Sequence, residues 1–232
     1  MSQISGKVYF VSGIDTGIGK TIATGLMARW LTRQGRDVIT VKMVQTGNDG
    51  FSEDLNLHRQ MCGSPHFPED DAGLTAPQIF KFPSSPLLAA ALENRTVDVA
   101  AIAAAVRQCA AAHEIVLVES AGGLHVPLTE SMLSIDLAQQ QNWPLLLVTC
   151  GRLGSINHTL MSLEAAMARR LQVAGVLYNW HPDADPCIDR DTPEYLCRWL
   201  AHQRCGAPVI RLPRVNDPSA PPECSFSAIF NA

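Results

Sequence analysis

A glycine-rich segment, residues 13–21, follows the first strand-like run of the chain and leads into an apolar helical pattern. Glycines let the backbone curl so that successive N–H groups point at a polyphosphate, and the helix N-terminus adds the positive end of its dipole. Lys20 is predicted to bridge the β- and γ-phosphates, and the Thr21 hydroxyl to bind Mg²⁺. The spacing is extended, with five residues rather than four between Gly13 and Gly19. An ordinary strand–turn–helix is the alternative, which the position between a strand and a helix disfavours.

Two acidic residues could complete a metal site beside this loop. Glu119 closes the apolar run 115–118 and precedes Ser-Ala-Gly-Gly, so it stands at the tip of a predicted buried strand. Mg²⁺ bound to a nucleotide takes one or two carboxylates, and an unpaired carboxylate at such a strand end is costly. The alternatives are a solvated strand-end acid for Glu119 and, for Asp54, a first-turn acid that complements a helix dipole.

A second lysine, Lys42, ends the apolar run 37–42. Only four of the 18 basic residues are lysines, the others being Lys7, Lys20 and Lys81. We expect Lys20 and Lys42 to lie at adjacent strand tips, where two positive charges would offset a triphosphate and a developing phosphoryl transition state. The alternative is a lysine that extends from the sheet edge into solvent.

The elements that position these residues alternate along the chain. Short apolar runs predict strands at 8–12, 37–42, 115–119, 145–149, 174–179 and 208–212, and helices are predicted at 20–34, 53–62, 84–93, 97–113, 131–141, 155–170 and 192–204. Continuously apolar strands are typical of a parallel sheet covered by helices on both faces. The pattern predicts a single-domain α/β fold of the P-loop NTPase type over residues 1–232. Loops at 64–86, 181–193 and 213–222 are predicted at the sheet rim, where ligands bind in such folds.

Composition excludes several classes of protein. The chain has 232 residues, of which 47% are hydrophobic and 17% charged, with a net charge of −4, so no basic surface predicts nucleic-acid or membrane binding. The apolar stretch 97–112 contains Asp98 and Arg107 and is predicted to be a helix outside any membrane. Seven cysteines without a CxxC pair, and no signal-like segment before the first strand, lead us to expect free thiols in the cytoplasm.

Taken together, these motifs resemble the dethiobiotin synthetase family. The match consists of residues 13–21, Lys42 with Thr46-Gly47, Asp54, residues 119–123, residues 151–158 and Asn179, in the family's order. The resemblance implies an ATP-dependent ligase of biotin biosynthesis that forms dethiobiotin from 7,8-diaminononanoate and CO₂, with Mg²⁺ as cofactor. It also implies a carbamate intermediate, its phosphorylation to a mixed anhydride, and a homodimer whose substrate site lies at the interface.

The resemblance also assigns roles to individual residues. It implies that Lys20 and Lys42 are catalytic and that Thr21, Asp54 and Glu119 hold Mg²⁺. The implied nucleotide site comprises Gly17, Ile18, Gly19, Lys20, Thr21, Ile22, Asp54, Glu119, Ser120, Ala121, Gly122, Asn179, Trp180, Pro213, Arg214 and Val215. The implied substrate site comprises Thr16, Thr46, Ser85, Pro86, Arg152, Leu153, Gly154, Ser155, Asn157 and Tyr195. Tyr195 has an equal alternative as an ordinary helix-face aromatic residue.

Some residues differ from the family's pattern, and two other functions are possible for this fold. Met43 stands where the family commonly has a proline, and we expect a looser turn there. The histidines His58, His66, His113, His125, His181 and His202 show no metal-ligand spacing and are interpreted as surface or packing residues. A nucleotide-switch ATPase of the same fold is the alternative function. Asp15 disfavours it, because the switch ATPases that resemble this fold carry a signature lysine at that position. An amidoligase of the cobyrinate type would need a glutaminase domain, for which no length remains.

Overall fold

The computed structural model describes residues 6–63, 66–180 and 185–230. His181 and parts of the predicted loops 64–86 and 181–193 lie outside these residues. Among the described residues, no helix combines the length and apolar character that crossing a bilayer requires. The helices are α1 Lys20–Arg33, α2 Glu53–Cys62, α3 Pro68–Asp71, α4 Pro86–Leu92, α5 Val99–Ala112, α6 Ser134–Gln140, α7 Ser155–Ala168, α8 Pro186–His202 and α9 Ser227–Phe230.

Six strands form one parallel sheet, and two short pairs lie outside it. The strands are β1 Lys7–Gly13, β2 Val38–Lys42, β3 Gln45–Thr46, β4 Ile79–Phe80, β5 Ile115–Gly123, β6 Pro127–Thr129, β7 Met132–Leu133, β8 Leu145–Cys150, β9 Val173–Asn179 and β10 Val209–Arg211. The main sheet has the order β10-β9-β8-β1-β5-β2, while β3 pairs with β4 and β6 with β7. The predicted single-domain α/β fold is therefore confirmed.

The apolar runs are continuous because both faces of the sheet are covered. Alternate residues of β1 belong to different cores: Phe10 packs in one buried cluster, and Tyr9 and Val11 pack in the other. A strand buried on both sides needs apolar residues at every position. All six predicted strands are present for this reason.

The strand order corrects one expectation about the two lysines. We expected Lys20 and Lys42 at adjacent strand tips, but β5 lies between β1 and β2. Lys42 is instead the direct neighbour of Glu119, since the two residues are Cα partners in the β2–β5 pair. The positive charge of Lys42 therefore lies beside a carboxylate. Lys20 follows β1, on the other side of β5 from Lys42.

Most helix bounds differ from the predicted ones by one or two residues, and two helices begin well away from their predicted first residues. The helix predicted at 131–141 begins only at Ser134, because Met132 and Leu133 pair with β6. The helix predicted at 192–204 begins at Pro186, where the Asp185 carboxylate accepts a hydrogen bond of 2.7 Å from the Cys187 N–H. Proline suits the first turn of a helix, since its missing N–H is not needed there. Residues 186–193 are thus helical rather than part of a loop.

Candidate active site

The glycine-rich loop connects β1 to α1 at the centre of the sheet. Gly17 and Gly19 have φ values of 73° and 92°, in the left-handed region that side chains with a Cβ disfavour. No side chain caps the first turn of α1, so its N–H groups remain available to an anion. Lys20 is buried, and its Nζ donates a hydrogen bond of 2.9 Å to the carbonyl of Asp15. The loop has the backbone and the cation of a phosphate site.

Lys42 is the last residue of β2 and lies between two carboxylates, Asp54 in the first turn of α2 and Glu119 within β5. Its Nζ is 2.7 Å from Asp54 Oδ2 and 2.8 Å from Glu119 Oε1. The Thr21 hydroxyl donates to Asp54 Oδ1 at 2.7 Å and lies 3.2 Å from Glu119 Oε1. The four side chains come from four separate elements, and they meet because parallel strands end at the same edge of the sheet.

These oxygens fit a magnesium ion by their chemistry. Two carboxylates and one hydroxyl are the hard oxygen ligands that Mg²⁺ takes in nucleotide sites. One oxygen of each carboxylate already contacts a cation, the Lys42 ammonium. The donor set is therefore able to hold a second kind of cation at the same place.

Burial and charge shift the pKa values of this cluster in opposite directions. Burial lowers the pKa of Lys20 to about 8; Glu119 opposes this shift and Lys42 adds to it. Burial would also lower the pKa of Lys42, but the carboxylates of Glu119 and Asp54 outweigh it and raise that pKa. For Glu119, burial is outweighed by Lys42 and His58, which hold its pKa well below the usual range. Glu119 is thus an ionised carboxylate without contact with solvent.

His58 corrects the interpretation of the histidines. It is fully buried, and its Nε2 lies 3.0 Å from Glu119 Oε2, so it is neither a surface residue nor a mere packing residue. The signal in the sequence was its position four residues after Asp54 on a predicted helix, since residues at that spacing share a helix face.

A cleft of about 800 Å³ opens over the loop and the cluster. Of the residues implied by the resemblance, it is lined by Thr16, Gly17, Gly19, Lys20, Thr21, Ile22, Lys42, Thr46, Asp54, Ser85, Pro86, Glu119, Ala121 and Gly122. Ser120 is fully buried, and its hydroxyl donates to Ser12 Oγ at 2.9 Å. Its side chain therefore links β5 to β1 and does not line the cleft. The other lining residues are Val44, Gln45, Leu57, Pro83, Ser84 and Val126, which sequence reasoning missed.

Five residues that the resemblance implies for the nucleotide lie at or just after the ends of β9 and β10. The Asn179 amide donates a hydrogen bond of 2.9 Å to the carbonyl of Ile18, which ties the end of β9 to the loop. The guanidinium of Arg214 lies 4.2 Å from the centroid of the Trp180 ring. Pro213 and Val215 flank Arg214 and are half-buried. None of these residues lines the cleft described above.

The loop before α7 and Tyr195 do not reach this cleft either. Arg152 instead donates to Asp15 Oδ2 of the glycine-rich loop at 2.8 Å. Leu153 is 84% exposed; Gly154 and Asn157 are exposed as well. Ser155 is buried, and its hydroxyl has no hydrogen-bond partner among the described residues. Tyr195 packs against the core from α8, as the helix-face alternative predicts.

Met43 does not show the looseness expected of the turn after Lys42. Its side chain is fully buried, and its N–H donates a hydrogen bond of 3.0 Å to the carbonyl of Glu119. Proline has no N–H and could not form this bond. The turn is therefore tied to β5 through Met43.

An ion pair behind the cluster predicts a pH-dependent stability. Arg59 contacts both carboxylate oxygens of Asp70, at 3.1 and 2.7 Å. Burial would raise the pKa of Asp70, but the hydrogen bonds that Asp70 accepts, those from Arg59 foremost, outweigh burial and lower that pKa. We expect Asp70→Asn to reduce the free energy of unfolding by about 2–3 kcal/mol at pH 7. The contribution of Asp70 is complete above its ordinary pKa of 3.8 and is lost as the pH falls below that value.

Urea denaturation of both proteins between pH 7 and pH 3 measures this effect. The matched control is Asp71→Asn, because the Asp71 side chain is 79% exposed and its partner among the described residues is the exposed His66. Its expected effect is below about 0.5 kcal/mol. Equal losses in the two variants, or a difference that grows on acidification, would contradict the role of the Arg59–Asp70 pair.

Comparisons with known proteins agree with this geometry. A family model described as an AAA domain matches residues 7–210. The chain is 46% identical over 194 residues to the ATP-dependent dethiobiotin synthetase BioD 2 of Pasteurella multocida, covering 84% of this chain and 91% of that protein. It is 43% identical over 210 residues to the ATP-dependent dethiobiotin synthetase BioD of Chlorobaculum tepidum, covering 90% of this chain and 88% of that protein.

Solved structures support the fold alone. A ParA family ATPase from Chlorobium tepidum superposes with a TM-score of 0.51 at 14% identity, covering 91% of this chain and 86% of that one. The signal recognition particle receptor FtsY from Elizabethkingia anophelis gives a TM-score of 0.52 at 16% identity, covering 98% of this chain and 64% of that one. The sequence identity to the two dethiobiotin synthetases, over most of this chain and most of each relative, decides the family. This chain belongs to the ATP-dependent dethiobiotin synthetase family.

Proposed function

We propose that this protein is a ligase that forms dethiobiotin from 7,8-diaminononanoate, CO₂ and ATP, in the cytoplasm. The observation that carries the proposal is the cluster of Thr21, Lys42, Asp54 and Glu119 beside the glycine-rich loop, in one cleft. The relatives named as ATP-dependent dethiobiotin synthetases support the reaction and the use of ATP. We infer Mg²⁺ as the cofactor from the oxygen ligands of this cluster.

The reaction begins with the two amines of the substrate. One amine nitrogen attacks CO₂ and loses a proton, which gives a carbamate. Thr16 and Thr46 line the same cleft as the loop and offer hydroxyls to the carbamate or to the amine nitrogens. The hydroxyls orient the substrate because they can both donate and accept hydrogen bonds.

Phosphoryl transfer then activates the carbamate. A carbamate oxygen attacks the γ-phosphorus, ADP leaves, and the product is a mixed anhydride. Lys20 and Lys42 neutralise the charge that develops on the transferred group. Thr21, Asp54 and Glu119 would hold Mg²⁺, which when bound neutralises the phosphates. The second amine attacks the carbonyl carbon, the ureido ring closes, and phosphate leaves with its bonding electrons while the amine proton passes to phosphate.

Lys42 would shift towards the γ-phosphate during the reaction. Its Nζ contacts Asp54 Oδ2 and Glu119 Oε1, so a metal bound at these same oxygens would compete with it. The γ-phosphate and the carbamate are new anionic partners for the ammonium at that moment. The raised pKa of Lys42 keeps it protonated for both roles.

An assay with purified protein tests the proposal. Diaminononanoate, ¹⁸O-labelled bicarbonate, Mg²⁺ and ATP are expected to yield one dethiobiotin per ADP, with one ¹⁸O atom transferred to the released phosphate within a single turnover. The label distinguishes phosphorylation of a carbamate from simple hydrolysis of ATP. Absence of substrate-dependent ADP release would overturn the function, and unlabelled phosphate would overturn the carbamate route.

We also propose that the loop at 151–158 completes the substrate site of a second subunit. The exposed Leu153, the uncapped start of α7 and the unpartnered Ser155 hydroxyl support this placement, since they lie outside the cleft of their own chain. Free N–H groups at a helix start suit the substrate carboxylate.

Mixed dimers test the shared site. Asn157→Ala and Lys20→Met are each expected to be nearly inactive alone. Dimers formed by refolding an equal mixture should regain about a quarter of the wild-type activity, because half of the dimers carry one intact site. The control mixture combines Lys20→Met with Lys42→Met. Both lysines line the cleft of their own chain, so every site in a mixed dimer keeps one defect, and no activity should be regained. No regain in the first mixture would contradict a shared site.

A further inference from the structure

His58 is a buried imidazole that the reaction described above does not use. It lies on α2 one turn after Asp54, and its side chain is 0% exposed. Its Nε2 is 3.0 Å from Glu119 Oε2, and its Nδ1 is 3.2 Å from the hydroxyl oxygen of Thr40. Both ring nitrogens therefore have a polar partner inside the protein, one of them an acid of the cluster.

The hydrogen bonds around His58 form a continuous series of four side chains. Arg59 donates to the Thr40 hydroxyl oxygen at 2.7 Å, and arginine can only donate. The Thr40 hydroxyl hydrogen is then free to point at Nδ1 of His58. The ionised carboxylate of Glu119 only accepts, so Nε2 of His58 carries a hydrogen and donates it to Oε2. The contacts run from Arg59 through Thr40 and His58 to Glu119.

This series of hydrogen bonds is held in place at Arg59, the end away from Glu119. Asp70 holds the Arg59 guanidinium through two hydrogen bonds and accepts a third from the Thr75 hydroxyl at 2.7 Å. The Thr75 carbonyl in turn accepts the N–H of Lys42 at 2.7 Å. His58 is thus one member of a network that links α2, β2 and the segment after α3.

The network divides the two oxygens of Glu119 between different tasks. Oε2 accepts from His58, while Oε1 faces Lys42 at 2.8 Å and the Thr21 hydroxyl at 3.2 Å. Without a donor at Oε2 the carboxylate could turn about its side-chain bonds, and a buried oxygen would lack a partner. Groups that hydrogen-bond a metal-binding carboxylate commonly fix its orientation in this way.

We propose that His58 is a positioning residue that holds Glu119 so that Oε1 faces the metal ligands Thr21 and Asp54. The inference rests on the proposed function only in taking Glu119 as a metal ligand. The competing interpretation is that His58 fills space in the core, in which case an apolar residue of similar size should replace it without loss at the site.

Three variants at position 58 separate the two interpretations. His58→Gln places an amide N–H where Nε2 now lies and should keep the bond to Glu119. His58→Asn is too short and its amide reaches only the position of Nδ1, while His58→Leu keeps the bulk without any donor. The readout is Mn²⁺ affinity, measured by electron paramagnetic resonance on the full-length protein with a non-hydrolysable ATP analogue. Binding of that analogue in EDTA is measured in parallel.

The expected result is a Mn²⁺ affinity about tenfold weaker in His58→Leu and His58→Asn, and within about threefold of wild type in His58→Gln. Analogue binding in EDTA should be unchanged in all three. Wild-type Mn²⁺ affinity in His58→Leu, or in His58→Asn should His58→Leu not fold, would overturn the proposal. So would a His58→Gln variant as weak as His58→Asn. Diaminononanoate is absent from this experiment, so a failed dethiobiotin assay and a failed His58 proposal are told apart.

Discussion

Lys42→Met is expected to reduce dethiobiotin formation by about 10³-fold or more. Methionine keeps most of the length of the buried side chain but removes the charge that would meet the γ-phosphate and the carbamate. ATP affinity should change by less than about threefold, because Lys20 and the loop N–H groups remain. Single-turnover kinetics and equilibrium binding of ATP measure the two quantities.

Lys42→Met is also expected to lower the stability of the folded protein and to raise its affinity for Mn²⁺. Lys42 neutralises Asp54 and Glu119 in the structure, and Glu119 is fully buried. Without the ammonium, the folded protein should lose about 3 kcal/mol of stability in EDTA and should bind Mn²⁺ more tightly than wild type. A weaker Mn²⁺ affinity would mean that Lys42 and the metal do not compete for these carboxylates.

Lys81→Met is the matched control for both measurements. The Lys81 side chain is 68% exposed and pairs with Asp49, itself 71% exposed. Its replacement should leave turnover, stability and Mn²⁺ binding near wild type. Turnover near normal in Lys42→Met, or an equal loss in Lys81→Met, would remove the electrostatic role of Lys42.

Gly19→Ala is expected to weaken ATP binding by about 100-fold. Gly19 has a φ of 92°, and a Cβ at this position would overlap the amide nitrogen of Asn179. Asn179 would have to leave its bond to the Ile18 carbonyl, and with it the position in which it ties the end of β9 to the loop. The backbone strain and the lost contacts together account for a change of this size. Isothermal titration with an ATP analogue measures it.

Gly35→Ala is the control, because Gly35 also has a positive φ, 75°, but a Cβ there meets nothing within 4 Å. It should cost about 1–2 kcal/mol of stability through backbone strain and leave ATP affinity unchanged. Asn179→Ala separates the two components of the effect, since it loses the amide without straining the loop. Gly19→Ala binding ATP as tightly as Gly35→Ala would show that the contact with Asn179 is unimportant.

Local patterns were enough to predict the strands and the strand end at which Lys42 lies, whereas β5 continues past Glu119 to Gly123. A strand buried on both faces requires an uninterrupted apolar run, and a charged residue that closes such a run marks the edge of the sheet. The helix bounds were less predictable, because long-range pairing decides them. Met132 and Leu133 fit a helical pattern but pair with β6 instead.

The sequence by itself determined the phosphate loop, the fold class and the family, since these depend on the spacing of neighbouring residues and on the periodicity of apolar ones. Only the tertiary structure decided which charges meet. Insertion of β5 between β1 and β2 places Lys42 opposite Glu119, and the packing of α2 brings His58 to the other oxygen of that carboxylate. These two contacts join residues 77 and 61 positions apart, and no local pattern records such contacts.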